Sequence, residues 1–158
     1  MPAKTNPIPK GAAVITPYLS LSDAAAMIDF YKSVFGATET MRLKQPDGRI
    51  GHAELKINGG AIMMADEFPE MGFVSPKTLG GVRSPVSIHL YVDNVDDVYK
   101  RALAAGATSL REPEDQFYGE RNAQVRDPSG HCWDLSMQVE EVSPEEMQKR
   151  FDAMIKQG

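Results

Sequence analysis

His52 and Glu54 are the pair of residues best placed for chemistry in this sequence. They stand two positions apart in a segment that alternates polar and apolar residues, so both side chains point to the same side of one predicted strand. A histidine and a carboxylate in that relation can perform general acid–base catalysis when they are partly buried. The alternative is an ordinary polar strand face, on which Lys56 neutralises Glu54.

His89 and Asp134 occupy the polar sides of two further alternating segments. His89 could be a metal ligand, a general base or a donor to a bound oxyanion, or a partly solvated histidine without such a role. Asp134 alternates with Trp133 and Leu135, which predicts that it points into a concavity beside Cys132. A carboxylate there needs a cation, hydrogen-bond donors or water, because burying it unpaired is costly. The Cys132 thiol has no activating base beside it in sequence, so we expect it to be inert.

The composition restricts the partners of the chain. A net charge of −5 over 158 residues, with no basic block, argues against a nucleic-acid surface. No apolar run reaches the roughly 20 residues of a membrane span, and the first residues lack the apolar centre of a signal peptide. The single cysteine cannot form an internal disulfide, which fits a reducing compartment. We therefore expect a cytoplasmic protein whose partner is a small molecule, with no nucleic-acid or membrane partner.

The elements that position these residues begin with an alternating segment at 14–21. Ile15 and Leu19 share one of its faces, which we expect to pack under a helix. Ser22 is the expected N-cap of that helix, and Gly36 is the expected end. The helix is marked by apolar residues at helical spacing, namely Ala24, Met27, Ile28, Tyr31 and Phe35.

The same order of elements occurs twice. Three strand-like segments follow the first helix, and the turn at Asn58-Gly59 between two of them is a strong hairpin signal. From residue 85 onward a strand, a helix and further strands return, and the Gly-Ala-Thr triplet at 36–38 recurs at 106–108. Such an internal repeat predicts two βαβββ modules. Gly36 and Gly106 should then take equivalent left-handed positions after equivalent helices.

Residues 14–139 are predicted to form one domain. The 67–84 loop between its modules shows little periodicity, so it is either a lid, with Met71 and Phe73 laid across an opening, or a flexible linker. A Ser-Pro-Glu-Glu capping sequence starts a last helix, whose apolar stripe docks either on its own domain or on a partner. The expected division is a flexible arm at 1–13, module one at 14–66, the loop at 67–84, module two at 85–139 and a C-terminal helix within 140–158.

Taken together, these motifs resemble the vicinal oxygen chelate superfamily of glyoxalases, bleomycin-resistance proteins and extradiol dioxygenases. The segments YGER at 118–121, DPSGHCW at 127–133 and VSPEEM at 142–147 are similar to its PhnB-like branch. The resemblance implies an α+β fold in which two βαβββ modules pair into a cup-shaped eight-stranded mixed sheet. It also implies a small-molecule cavity in the cup and a homodimer.

The resemblance further implies where a divalent metal would bind, on the first and last strands of each module. Those positions fall on Thr16, Met64, Ser87 and Asp134, of which only Asp134 is a normal ligand for a hard divalent cation. A catalytic zinc site needs three protein ligands. A metal, if present, would have to use a shifted site built from Glu54, His89 and Asp134, close to His52.

Two hypotheses remain for the function. The first is a protein that binds a small organic molecule without a cofactor, or an enzyme that relies on side chains alone. The second is a metal-dependent lyase, isomerase or dioxygenase with the shifted site. The sequence favours the first, through its missing ligands. In either case the expected cavity is lined by Thr16, Tyr18, His52, Glu54, Met64, Ser87, His89, Tyr91, Phe117, Tyr118, Cys132 and Asp134, and the catalytic candidates are His52, Glu54 and His89.

Overall fold

The computed structural model describes residues 6–157. The first five residues of the predicted arm, 1–5, and the last residue of the chain lie outside this range. The elements follow the predicted order, βαβββ twice and then a helix. They are β1 (Tyr18–Leu21), α1 (Ala24–Phe35), β2 (Thr38–Lys44), β3 (Ile50–Ile57), β4 (Gly60–Asp66), a 3-10 helix (Pro69–Met71), β5 (Ser87–Tyr91), α2 (Val95–Ala104), β6 (Thr108–Asp115), β7 (Glu120–Arg126), β8 (Cys132–Gln138) and α3 (Pro144–Gln157).

The eight strands form two mixed four-stranded sheets with the same topology. The strand order is β1-β4-β3-β2 in the first sheet and β5-β8-β7-β6 in the second. The β1–β4 and β5–β8 pairs are parallel, whereas the other pairs are antiparallel. The predicted α+β fold of two βαβββ modules is therefore confirmed. Within the described residues, β1 and β5 are each an edge strand of their own sheet.

The two modules share one hydrophobic core beneath their helices. Trp133 on β8 is at its centre, with its ring centroid 4.6 Å from that of Phe35 and 5.3 Å from that of Tyr31, both on α1. All five apolar residues predicted for the first helix are buried. Each large apolar side chain buried in this way contributes about 1.5–3 kcal/mol to the free energy of unfolding. The core therefore holds the modules together as well as the helices to their sheets.

The start of the first strand corrects the predicted packing of Ile15. Strand β1 begins at Tyr18, and Ile15 is 88% exposed, whereas Leu19 is buried as expected. The parallel ladder with β4 places Tyr18 beside Met63, and the carbonyl of Pro17 accepts the Met63 amide just before it. Pro17 has no amide hydrogen to donate to the ladder, which fits the start of the strand at the next residue.

The predicted N-cap of the first helix also needs correction. Asp23, not Ser22, caps α1, because its side chain accepts from the Ala26 amide at 3.0 Å. Ser22 instead directs its amide to the hydroxyl of Ser129 in the second module, at 2.9 Å.

Gly36 and Gly106 are both left-handed, with φ of 68° and 102°, but they are not equivalent. Gly36 ends α1 directly, whereas Ala105, with a φ of −90°, stands between α2 and Gly106. The prediction of positive φ at both glycines is right, and the prediction that they hold the same position after the helix is wrong.

Helix α3 lies apart from the core. Its capping sequence works as expected, since the Ser143 hydroxyl accepts from the Glu146 amide at 3.2 Å. No residue of α3 is buried, and its aromatic contact is made by Phe151, whose ring lies 5.6 Å from that of Phe117. The apolar stripe is therefore only partly docked on its own domain. None of the helices in residues 6–157 is long and apolar enough to cross a membrane.

Candidate functional site

The first sheet presents a row of side chains on the face opposite its helix. The register aligns Tyr18, Met63, Glu54 and Met41 across the four strands, and His52 lies two residues from Glu54 on the same side of β3. Neighbouring residues of β3, such as Ala53, point into the core instead. Alternation along the strand thus places His52 and Glu54 on one face, as the sequence predicted.

Tyr18, His52 and Glu54 are joined by hydrogen bonds on this face. The Tyr18 hydroxyl lies 2.8 Å from Nδ1 of His52, and Nε2 of the same ring lies 3.0 Å from Oε1 of Glu54. Burial, helped by the Glu54 carboxylate, raises the pKa of Tyr18 above its ordinary value. The phenol therefore carries its proton at neutral pH.

The first part of the 67–84 loop, from Phe68 to Phe73, forms one wall of an open cleft of about 610 Å³ at one end of this face, which we call the lid cleft. The edge of the Phe73 ring meets Tyr18 at a centroid distance of 5.9 Å. Arg49 ties the loop down, because its guanidinium lies 4.4 Å above the Phe68 ring and bonds Glu70 at 3.1 Å. The lining residues are Tyr18, Gln45, Arg49, Gly51, Ala65, Phe68, Glu70, Met71 and Phe73.

The loop is also bonded to the second module. The amide of Lys77 donates to the carbonyl of Ser129 in the second module at 3.1 Å. Within the loop, the Ser75 amide donates to the Glu67 carboxylate at 2.6 Å. Ser75 is fully buried. These contacts hold the loop in a defined position, and its role as a lid stays a prediction.

The second sheet presents a more polar face. Here His89 pairs with Asp134, and Tyr91 with Ser136, between the neighbouring strands β5 and β8. Oδ1 of Asp134 and the Ser136 hydroxyl are buried without a hydrogen-bond partner, as is Nε of Arg111. Each such atom costs about 1–3 kcal/mol unless water or a ligand satisfies it. This face therefore has hydrogen-bonding capacity that the described residues do not use.

A slot between the edge strands brings the two faces together. It has a volume of about 510 Å³ and lies between β1 and β5. Tyr18 lines both this slot and the lid cleft, and so connects them. Of the predicted cavity residues, the slot contains Tyr18, Ser87, His89 and Cys132.

The other predicted cavity residues line neither the lid cleft nor the slot. Met64 is fully buried in the core, between Leu19 and Ala53, because the residue of β4 that faces the cup is its neighbour Met63. Thr16 and Glu54 both line a third cavity, beside the 9–16 segment, and His52, Tyr91 and Asp134 are not among the residues that line any of the three cavities. Phe117 packs against α3 and Tyr118. Tyr118 instead accepts a hydrogen bond from the buried Asn122.

Sequence reasoning missed several residues of the lid cleft. Arg49 and Gln45 flank a turn between β2 and β3, and Phe68 begins the loop. Two aromatic residues close together in the first half of the aperiodic loop, Phe68 and Phe73, were the available signal. Arg111 of the second sheet was also missed, since nothing in the sequence indicates that the Nε of a strand arginine is buried.

The donors in the structure do not fit the metal that the resemblance implies. Among residues 6–157, no group of three or more His, Cys, Asp and Glu side chains is arranged to hold a metal ion. Met64 faces the core, and Glu54 is bonded to His52 in the first sheet, whereas His89 and Asp134 belong to the second. A zinc site needs three converging ligands, and these donors lie as two separate pairs.

Comparison with known proteins yields one family and a consistent fold. The family model described as Glyoxalase/Bleomycin resistance protein/Dioxygenase superfamily matches residues 14–135. An uncharacterized protein of Mycobacterium bovis is 45% identical over 147 residues, which cover 91% of this chain and 93% of that protein.

Solved structures share the fold at lower identity. The fosfomycin resistance protein FosX of Listeria monocytogenes, complexed with Mn(II) and sulfate, is 20% identical with a TM-score of 0.61, covering 89% of this chain and 98% of that one. A putative 3-demethylubiquinone-9 3-methyltransferase, PhnB protein, of Bacillus cereus is 18% identical with a TM-score of 0.60, covering 78% and 98%. At these identities the likeness concerns the fold alone.

Proposed function

The chain belongs to the Glyoxalase/Bleomycin resistance protein/Dioxygenase superfamily, and we propose that it binds a small organic molecule in the lid cleft without a bound metal. The observation that carries this proposal is the composition of the cleft, about 610 Å³ walled by Tyr18, Phe68 and Phe73. Ligand sites commonly measure about 300–1,000 Å³ and combine apolar walls with a few polar groups. The Tyr18 hydroxyl and the Gln45 amide supply the polar groups here.

The rings in the cleft indicate an aromatic or otherwise flat apolar ligand. Phe73 and Tyr18 meet edge to face, a geometry that leaves room for a third ring against either one. Arg49 does not act as a free cation, since it is already paired with Asp47 and Glu70. The ligand is therefore held by ring contacts and hydrogen bonds, with no charge pairing to Arg49.

A second candidate function is a metal-dependent lyase, isomerase or dioxygenase that uses Glu54, His89 and Asp134. One observation favours it, namely the buried Oδ1 of Asp134, to which a divalent cation would give a partner. His89 lies next to Asp134 on the neighbouring strand. The position of Glu54 argues against this function, because Glu54 belongs to the other sheet and is bonded to His52.

A homodimer also belongs to the proposal. Exposed apolar side chains occur at the start of the domain, just before strand β5 and on α3, among them Ile15 at 88%, Val86 at 68% and Ile155 at 60%. Large exposed apolar areas commonly mark association sites. A second copy would cover them and complete the cup over the second sheet.

The binding proposal is tested with a set of small aromatic acids and phenols. Thermal shift identifies binders, and calorimetry then compares wild type with Phe73→Ala. We expect this variant to weaken binding about tenfold, because a ligand would bury the part of the Phe73 ring that is still exposed, and full burial of such a ring is worth about 1.5–3 kcal/mol. Leu79→Ala is the matched control, since Leu79 lies on the same loop, is 65% exposed and does not line the cleft. Absence of any binder, or equal loss in both variants, would contradict the proposal.

A further inference from the structure

The hydrogen bonds of Tyr18, His52 and Glu54 have a direction that follows from their chemistry. An ionised carboxylate only accepts, so the 3.0 Å contact with Glu54 requires Nε2 of His52 to carry the hydrogen. In a neutral imidazole Nδ1 is then the acceptor, and the Tyr18 hydroxyl donates to it at 2.8 Å. The Tyr18 oxygen then keeps lone pairs that can accept a further hydrogen bond, and Tyr18 is one of the residues that line the lid cleft.

We propose that these three residues form a proton-accepting relay, which takes the proton of a weakly acidic aromatic hydroxyl, such as a phenol, bound in the lid cleft. This inference rests on the proposed function. The ligand O–H bond breaks, its electron pair stays on the phenolate oxygen, and the proton goes to the Tyr18 oxygen. The original Tyr18 O–H bond breaks at the same time, and that proton goes to Nδ1 of His52. The imidazolium is stabilised by the Glu54 carboxylate.

The surroundings of Tyr18 favour an aromatic hydroxyl as the proton donor. A ligand ring that stacks in the cleft beside Phe73 comes next to the Tyr18 ring, because the two protein rings are 5.9 Å apart. Tyr18 also lines the slot between β1 and β5, so a ligand can approach this residue from two cavities. The raised pKa of Tyr18 keeps its own proton in place until the ligand arrives.

The three residues have different roles in this relay. Tyr18 touches the ligand and is the catalytic residue. His52 and Glu54 act through it and are positioning residues. Their contribution therefore has to be tested by a readout that a merely structural role would not change, namely the tautomer of His52.

The first experiment needs no ligand. Long-range proton–nitrogen correlation spectra of the full chain with labelled histidines report which ring nitrogen carries the hydrogen, and His89→Gln and His131→Gln assign the signals. We expect His52 as the Nε2–H tautomer, with the Nδ1 shift changed in Tyr18→Phe but not in Lys56→Gln, an exposed position on the same strand. The Nδ1–H tautomer, or an unchanged shift in Tyr18→Phe, would overturn the relay.

The second experiment uses 4-nitrophenol, whose phenolate absorbs visible light. The relay predicts a phenolate-to-phenol ratio for the bound molecule that is on the order of tenfold higher on wild type than on Tyr18→Phe, since an added hydrogen bond or counter-charge shifts such equilibria by about this much. Lys56→Gln should match wild type, and Glu54→Gln should fall towards Tyr18→Phe. Equal ratios on wild type and Tyr18→Phe would overturn the relay. Failure of every aromatic compound to bind would contradict the proposed function instead, while the His52 tautomer still decides the direction of the hydrogen bonds.

Discussion

The hydroxyl of Tyr31 on α1 donates to Oδ2 of Asp127, at 2.7 Å, and so joins the first module to the turn after β7 in the second. The same oxygen accepts from Nε1 of Trp133 at 2.9 Å, and Oδ1 accepts the amides of Ser129 and His131, each at 3.0 Å. Burial, together with the Asp127 carboxylate, raises the pKa of Tyr31 well above its ordinary value. Tyr31 therefore remains a donor at any physiological pH.

We expect Asp127→Asn to lower the free energy of unfolding by about 1–3 kcal/mol, because an amide cannot accept all four hydrogen bonds and leaves buried donors unpaired. Urea unfolding measures this difference. Asp29→Asn is the control, since Asp29 is exposed on α1, and its effect should stay within about 0.5 kcal/mol. Equal urea midpoints for Asp127→Asn and Asp29→Asn would show that the Asp127 carboxylate does not hold the modules together.

Local patterns in the sequence predicted most of the fold. The apolar spacing in α1 and the Asn58-Gly59 turn depend on neighbours along the chain, and both are present as expected. The N-cap of α1 was wrong because Ser22 is held by Ser129, which lies in the other module. Contacts between residues that are so far apart in the sequence do not affect the local periodicity.

Gly130 is expected to be essential for docking the loop. Its φ is 99°, and a Cβ there would lie 2.7 Å from the Lys77 amide nitrogen and 2.9 Å from Cβ of Pro76. Gly106 has a similar φ of 102°, but a Cβ would meet only Pro128 at 3.7 Å. Both alanine variants should therefore lose about 1–2 kcal/mol from left-handed strain.

Only Gly130→Ala should also displace the loop. Limited proteolysis within 67–84 is the measurement, and we expect faster cleavage in Gly130→Ala than in Gly106→Ala or wild type. Similar cleavage rates in the two variants would mean that the contact with Lys77 does not hold the loop in place.

The candidate site was predictable only in part. The spacing of His52 and Glu54 places both on one strand face, and alternation places Tyr18 on the same side of its own strand. That the Tyr18 hydroxyl reaches His52 depends on β4 lying between β1 and β3, an order that the sequence does not state. Met64 was wrongly predicted to line the cavity. An error of one residue along a strand moves the predicted side chain to the opposite face of the sheet.

Glu67 gives the loop a pH dependence. Burial raises the pKa of this carboxyl, but hydrogen bonds from Ser75 and Thr78 outweigh burial and leave it below its ordinary value of 4.5. A lowered pKa in the folded chain means that the stabilisation is complete above pH 4.5 and is lost as the pH falls through the folded value.

Thermal unfolding of wild type and Glu67→Gln from neutral pH to below the ordinary glutamate pKa tests this. We expect wild type to unfold at the higher temperature near pH 7 and the difference to shrink in acid, because a protonated Glu67 resembles glutamine. A difference that stays constant with pH would contradict the role of the charge.

We expect protein purified without chelator to contain no stoichiometric transition metal or magnesium. Thr16 and Ser87 are poor ligands, Met64 faces the core, and Asp134 alone of the four implied positions suits a hard cation. Elemental analysis is the measurement. About one metal per chain, with affinity lost in His89→Ala or Asp134→Ala, would support the metal-dependent alternative.

The last prediction concerns assembly. We expect light scattering after size-exclusion chromatography to give about twice the 17.4 kDa mass of the chain at micromolar concentration. Strand β5 lies at the edge of its sheet, Tyr91 on this strand is 56% exposed and Val86 just before it is 68% exposed, and open edges tend to be covered. Val86→Glu should shift the protein towards monomer, whereas Lys149→Glu on the exposed side of α3 should not. A wild-type monomer, or a dimer that survives Val86→Glu unchanged, would remove β5 from the interface.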